Sequence, residues 1–106
     1  MTEMPSEQNI QKQIDEMLRK EYGAYTFKLI SGNRSGVPDL HACMPDGKYF
    51  QIEVKKPDTE NTLSPLQQFN LEEVQKRKGL AMMASSKEQV KLYLAQNGYG
   101  EDDYEV

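Results

Sequence analysis

The sequence predicts an α/β fold, a mixed central sheet flanked by helices in the order αβββαβα, and three observations carry that prediction. Residues 6–22 repeat apolar positions at helical spacing, and residues 24–56 hold three β-rich segments broken by turn residues. After them, Ser64-Pro65-Leu66-Gln67 opens a second helix that leads into a short apolar strand at 80–84. An antiparallel three-stranded meander followed by a right-handed helical crossover gives a sheet of mixed sense.

In the first helix Ile10, Ile14, Met17 and Leu18 share one face, Ser6 or Thr2 offers an N-cap, and Gly23 is the stop. Ala24 to Ile30 is rich in aromatic and β-branched residues and reads as a strand, ended by the turn-forming run Ser31-Gly32-Asn33-Arg34-Ser35-Gly36. Val37 to Met44 and Lys48 to Lys56 are the next two strands, joined by the hairpin turn Pro45-Asp46-Gly47. A polar run from Pro57 to Thr62 precedes the second helix. There Ser64 is the cap, Pro65 fills a first-turn position where its missing N–H is harmless, and Gln67 is placed to return the cap's hydrogen bond. That helix should run to about Lys78 and stop at Gly79. Leu80 to Ala84 is the fourth strand, and Ser86 opens a last helix through about Gln96, closed by Asn97-Gly98. The methionines read as core and gap fillers.

At 106 residues the chain suits one domain, expected over residues 1–98, with residues 99–106 as an acidic, flexible tail. The formal charge of −4 argues against a nucleic-acid partner, because phosphate binding draws on Lys and Arg. Four of the acids lie in the last six positions, however, and without them the body is neutral. No long apolar run predicts a membrane span, and the start MTEMPSEQ lacks a basic-then-apolar signal. One cysteine, Cys43, excludes an internal disulfide and points to a reducing, cytoplasmic setting. One cysteine and one histidine also leave too few ligands for an ordinary zinc site.

The candidate chemistry lies in Gly36-Val37-Pro38-Asp39 and Glu53-Val54-Lys55. Alternate residues of a strand share a face, so Gln51, Glu53 and Lys55 form a polar set opposite the packing set Phe50, Ile52 and Val54. A short antiparallel hairpin brings Asp39 beside Glu53, and the Val54 carbonyl is a further oxygen. Such ligands suit a hard divalent cation that keeps several waters, and Lys55 could position the attacking water or offset transition-state charge. Taken alone, the pairing is weak evidence, and a solvated strand face is its ordinary reading. At 100° per residue Glu7 falls within the Ile10, Ile14, Met17 and Leu18 stripe, unlike Asp15 and Glu16; a site acid and a helix-start acid meeting the dipole have equal weight there. Gln67 is explained by the capping box. His41 shares the Asp39 face as a hydrogen-bonded surface residue, and Lys76-Arg77-Lys78 suits a helix C-terminus.

The ordered series Glu7, Lys28, Ser31-Gly32, GVPD at 36–39, EVK at 53–55 and LSPLQ at 63–67 closely resembles the VRR-NUC domain, the virus-type replication-repair branch of the PD-(D/E)XK nucleases. The likeness covers roughly residues 6–86 and looks like the stand-alone form of bacteriophages. It implies a restriction-endonuclease-like αβββαβ core and a DNA-hydrolysing enzyme that uses Mg2+ or Mn2+, with no nucleotide cofactor. By that resemblance Asp39 and Glu53 hold the metal, Lys55 is the catalytic lysine, Glu7 completes the site, and Gln67 stands beside it. Lys28, Ser31, Arg34 and Lys56 are the DNA-contact candidates. Small viral members are similar to archaeal Holliday junction resolvases, which implies a homodimer acting on branched DNA; Tyr99, Tyr104, Val106 or the last helix would supply its interface. The alternatives are a flap, single-strand or partner-dependent nicking nuclease, and a non-catalytic DNA-binding subunit, which the complete residue set disfavours.

Overall fold

A computed structural model describes residues 6–29, 37–59 and 62–100. Among these the order is α1 (Glu7–Tyr22), β1 (Tyr25–Lys28), β2 (Leu40–Cys43), β3 (Tyr49–Val54), a single 3-10 turn (Pro57–Thr59), α2 (Pro65–Lys76), β4 (Leu80–Ala84) and α3 (Lys87–Gln96). The strands lie side by side as β1-β2-β3-β4, the first two pairings antiparallel and β3 with β4 parallel. This is the α/β mixed sheet that the sequence predicts, with α2 as the crossover.

The capping residues behave as their chemistry requires. Ser6 accepts the Asn9 N–H through its hydroxyl at 3.1 Å, and Gly23 takes the left-handed φ of 67° that ends α1. At α2, Ser64 Oγ accepts the Gln67 N–H at 3.1 Å while Gln67 Oε1 accepts the Ser64 N–H at 2.9 Å.

Among the described residues, two layers of packing leave one part of the sheet bare. Leu40, Ala42, Phe50, Ile52, Val54, Leu80 and Ala84 are buried on one face, where Ile10, Ile14, Met17 and Leu18 of α1 and Val90 and Leu94 of α3 join them in one cluster. Helix α2 packs on β3 and β4 from the other side, with Leu71 buried and the Gln75 side-chain amide donating to the Ala81 carbonyl at 2.8 Å. At β1 nothing comparable among the described residues covers Phe27 and the adjoining Leu29, which are 39% and 40% exposed. No helix of the described residues is long and apolar enough to cross a membrane.

The structure departs from expectation at several ends. Strand β2 begins at Leu40 rather than Val37, because Pro38 has no N–H for the ladder and Asp39 sits in a bend. Helix α2 ends at Lys76, and Lys78, not Gly79, adopts the left-handed φ of 71°. Gly79 is needed for space instead, since a Cβ there would stand 2.6 Å from Val74 Cγ1. Tyr99, expected in a flexible tail, packs against the core and donates its hydroxyl to the Asp46 carboxylate at 2.7 and 2.9 Å. Tyr104, Val106 and the rest of that tail lie outside the described residues, as do Thr2, Ser31 and Arg34.

Candidate active site

Pairing register assembles the site. Leu40 faces Ile52, so the next step along both strands sets Asp39 opposite Glu53. On the other side the Leu29 N–H donates to the Asp39 carbonyl at 3.1 Å, continuing the β1–β2 ladder by one bond. Beyond β3, the Lys55 N–H donates to the Ala84 carbonyl at 3.0 Å, which prolongs the parallel pairing and keeps Lys55 in phase with Glu53. Glu7, the first residue of α1, reaches the same end of the sheet, where it lines a groove of about 580 Å3 with Gln8, Gln11, Lys28, Leu29 and Asp39.

These charges act on one another. Burial pushes the Glu53 carboxyl up to about 7; the nearby Lys55 ammonium opposes the rise, whereas the Asp39 and Glu7 carboxylates add to it. Lys55 offsets only part of that rise. Among the described residues no three or more His, Cys, Asp or Glu side chains converge closely enough to hold a metal by themselves. A hard divalent ion that retains waters needs less, and the Asp39 and Glu53 carboxylates with the Val54 carbonyl offer it only oxygen donors. The donor chemistry therefore fits such an ion, whose charge would also favour the ionised form that burial, first, and the Asp39 and Glu7 charges disfavour at Glu53.

Not every candidate stands where the sequence suggests. Glu7 is exposed in the first turn rather than buried with the α1 stripe, because at the helix start that face has run past the sheet and opens onto the groove. Lys28 and Lys56 are exposed, and only Lys28 of the two lines the groove. Gln67 is half-buried, with its side-chain oxygen engaged in the α2 cap. Gln51, expected on a solvated polar face, is only 7% exposed, since α2 covers this part of the sheet.

His41 is the largest departure, being 2% exposed rather than a surface residue. Its ring stacks between Phe27 and Tyr49, with centroids 5.1 and 5.8 Å away. Nε2 lies 2.6 Å from the Pro38 carbonyl and Nδ1 lies 2.5 Å from the Tyr49 hydroxyl, which also receives the Gln51 amide at 3.2 Å. Burial lowers the His41 pKa, against opposing effects of the Pro38 hydrogen bond and the Asp39 charge; burial likewise raises that of Tyr49, against the Gln51 hydrogen bond. The shared phase of these residues is legible in the sequence, with His41 two positions from Asp39 and Tyr49 and Gln51 alternating with Glu53, but their burial and bonding leave no signal there.

The comparisons with known proteins agree with this architecture. The profile of the VRR-NUC domain matches residues 2–88. The chain belongs to the VRR-NUC family. A solved structure described as a VRR-NUC domain superposes with a TM-score of 0.60 at 30% identity, covering 84% of this chain and 90% of that one. A relative in sequence is p44 of Acyrthosiphon pisum secondary endosymbiont phage 1, whose name proposes a nuclease. It is 36% identical over 56 residues, which make up 53% of this chain and 59% of p44. The matched stretch is thus little more than half of that relative's length. Asp39, Glu53 and Lys55 all lie within the VRR-NUC match, as does the network around His41.

Proposed function

We propose that this VRR-NUC nuclease domain is a divalent-metal-dependent, structure-selective DNA endonuclease that cuts Holliday or related branched junctions as a homodimer. The observation that carries the reading is the meeting of Asp39, Glu53 and Lys55 at one end of the sheet, with Glu7 and Lys28 on the adjoining groove. Asp39, Glu53 and the Val54 carbonyl would hold Mg2+ or Mn2+, with Glu7 reached through water. The ion, when bound, supplies a Lewis acid for the phosphodiester and lowers the pKa of water. Lys55 orients the attacking water and offsets the charge that develops on the phosphoryl oxygens. Lys28 and Lys56, with Ser31 and Arg34, contact backbone phosphates, and Gln67 keeps the start of α2 in place beside the site. A two-fold dimer matches the two symmetry-related strands of a four-way junction. Residues 1–98 would be the nuclease unit, acting in the cytoplasm of a phage host.

A second reading, a flap or single-strand nuclease, draws support from Phe27 and Leu29, exposed beside Lys28 and Asp39. Unpaired bases stack on such surfaces. One panel decides between the two: four-way junction, flap, single strand and linear duplex, each with Mg2+, with Mn2+ and with chelator. Cutting is expected only with metal, fastest on the junction, and lost in Asp39→Ala and Lys55→Ala proteins that keep their circular dichroism. Equal cutting of every form would refute selectivity. Wild-type rates in both variants would refute the site.

A further inference from the structure

Neutral imidazole carries one N–H, and its position here is decided by the partners. The Pro38 carbonyl can only accept, so the proton is on Nε2, and Nδ1 must accept from the Tyr49 hydroxyl. That hydroxyl then has its oxygen free to accept the Gln51 side-chain N–H. The hydrogen bonds thus run in one direction, from Gln51 to Tyr49 to His41 to the Pro38 carbonyl.

The chain ends on the peptide that precedes Asp39. The carbonyl of Asp39 itself accepts the Leu29 N–H, so the backbone on both sides of this residue is fastened although its side chain is exposed. Asp39 needs such fastening, because it stands one position outside the regular β2 ladder, in a bend that follows a proline.

Packing alone does not explain the arrangement. Among the described residues Gln51 Oε1 is buried without a hydrogen-bond partner, a cost on the order of 1–3 kcal/mol. Apolar residues at 41 and 51 would cover the same area of sheet without that cost. We propose that His41 is a positioning residue for Asp39, held in its Nε2–H form by Tyr49 and Gln51 so that the Pro38–Asp39 peptide keeps the Asp39 carboxylate opposite Glu53. The inference rests on the reading of Asp39 as a metal ligand, and it adds residues that never touch substrate or ion.

Tyr49→Phe keeps the ring stack and removes one oxygen; His41→Phe keeps the stack and removes the bond to Pro38. Calorimetric titration with Mg2+ and Mn2+ reads the ion affinity without DNA. Loss of a partner that orients a ligand costs about 10–100-fold in affinity, so His41→Phe should fall in that range and Tyr49→Phe at or below its lower end. In the cleavage assay kcat should drop by a similar factor with KM for DNA within about twofold, a split that general destabilisation does not give. His41 is the one histidine of the chain, so its long-range 1H–15N spectrum is free of overlap. It should show the Nε2–H form and shift on Mg2+ addition with the calorimetric midpoint. Normal ion affinity and an unchanged kcat in Tyr49→Phe and in every folded His41 variant would overturn the proposal alone. No ion binding by the wild-type protein would overturn the metal reading, and this inference with it.

Discussion

The two ends of the β2–β3 pair hold carboxylates in opposite conditions. At the hairpin end Asp46 accepts the Tyr99 hydroxyl and the Lys48 N–H, and these bonds, Tyr99 first, lower its pKa. At the open end Glu53 is half-buried with Asp39 and Glu7 as acidic neighbours, and its pKa rises to about 7. Glu73 on α2 repeats the hairpin pattern, held by Lys76 at 3.0 Å and Arg77 at 2.9 Å. Asp46 and Glu73 are hydrogen-bonded and lie low; the acid raised by burial and like charge stands at the proposed site. Groups perturbed in that second way gather at functional sites, at some expense of stability.

The contrast breaks most visibly at Glu53. Glu53→Gln should lower cleavage by about 10^3-fold or more, since on the proposed reading it removes a charged ligand of the ion. The same substitution should stabilise the metal-free protein. With a folded pKa raised above the unfolded value, Glu53 binds its proton more tightly in the folded state, so it weakens the fold as pH rises from about 4.5 to 7. Discounted for partial exposure, the gain in Glu53→Gln is about 1–2 kcal/mol at pH 8 and vanishes near pH 4, as read by urea unfolding.

Glu7 gives an intermediate test. Its charge acts on Glu53, so Glu7→Ala should cost roughly 10-fold in cleavage, the usual scale for a group acting through an ordered partner. Glu16→Ala should stay within about twofold of wild type in the same assay. The reverse order would show that the helix phase is irrelevant to function. The smallest effect belongs to Asp46. Its depressed pKa contributes stability above the unfolded carboxylate range that disappears as pH falls through the folded value. Asp46→Asn should therefore lower Tm slightly at pH 7 and not at pH 2, with cleavage unchanged.

Local chemistry made much of this fold legible. The caps at Ser6, Ser64 and Ser86, the turn at Asp46-Gly47 and the two hydrophobic periods mark every helix and strand to within a few residues. They also set Asp39 near Glu53, because the register of a short hairpin follows from its turn. What escaped depends on contacts distant in sequence. That Gln51 and His41 are buried follows from where α2 and the Phe27 and Tyr49 rings come to rest, and alternation along one strand carries no trace of either. Tyr99 reaches Asp46 across 53 positions, which no local pattern encodes. Glu7 shows the limit of helical phase, which gives the direction of a side chain but not whether the sheet extends beneath it.

On the proposed reading Glu53, raised mainly by burial and only partly offset by Lys55, receives a divalent cation, and carboxyl 13C titration of Glu53 tests this most directly. Without metal the Glu53 resonance should titrate at about 7, and Mg2+ should move the midpoint down toward the ordinary carboxylate range. A midpoint near 4.5 that ignores Mg2+ would contradict the account.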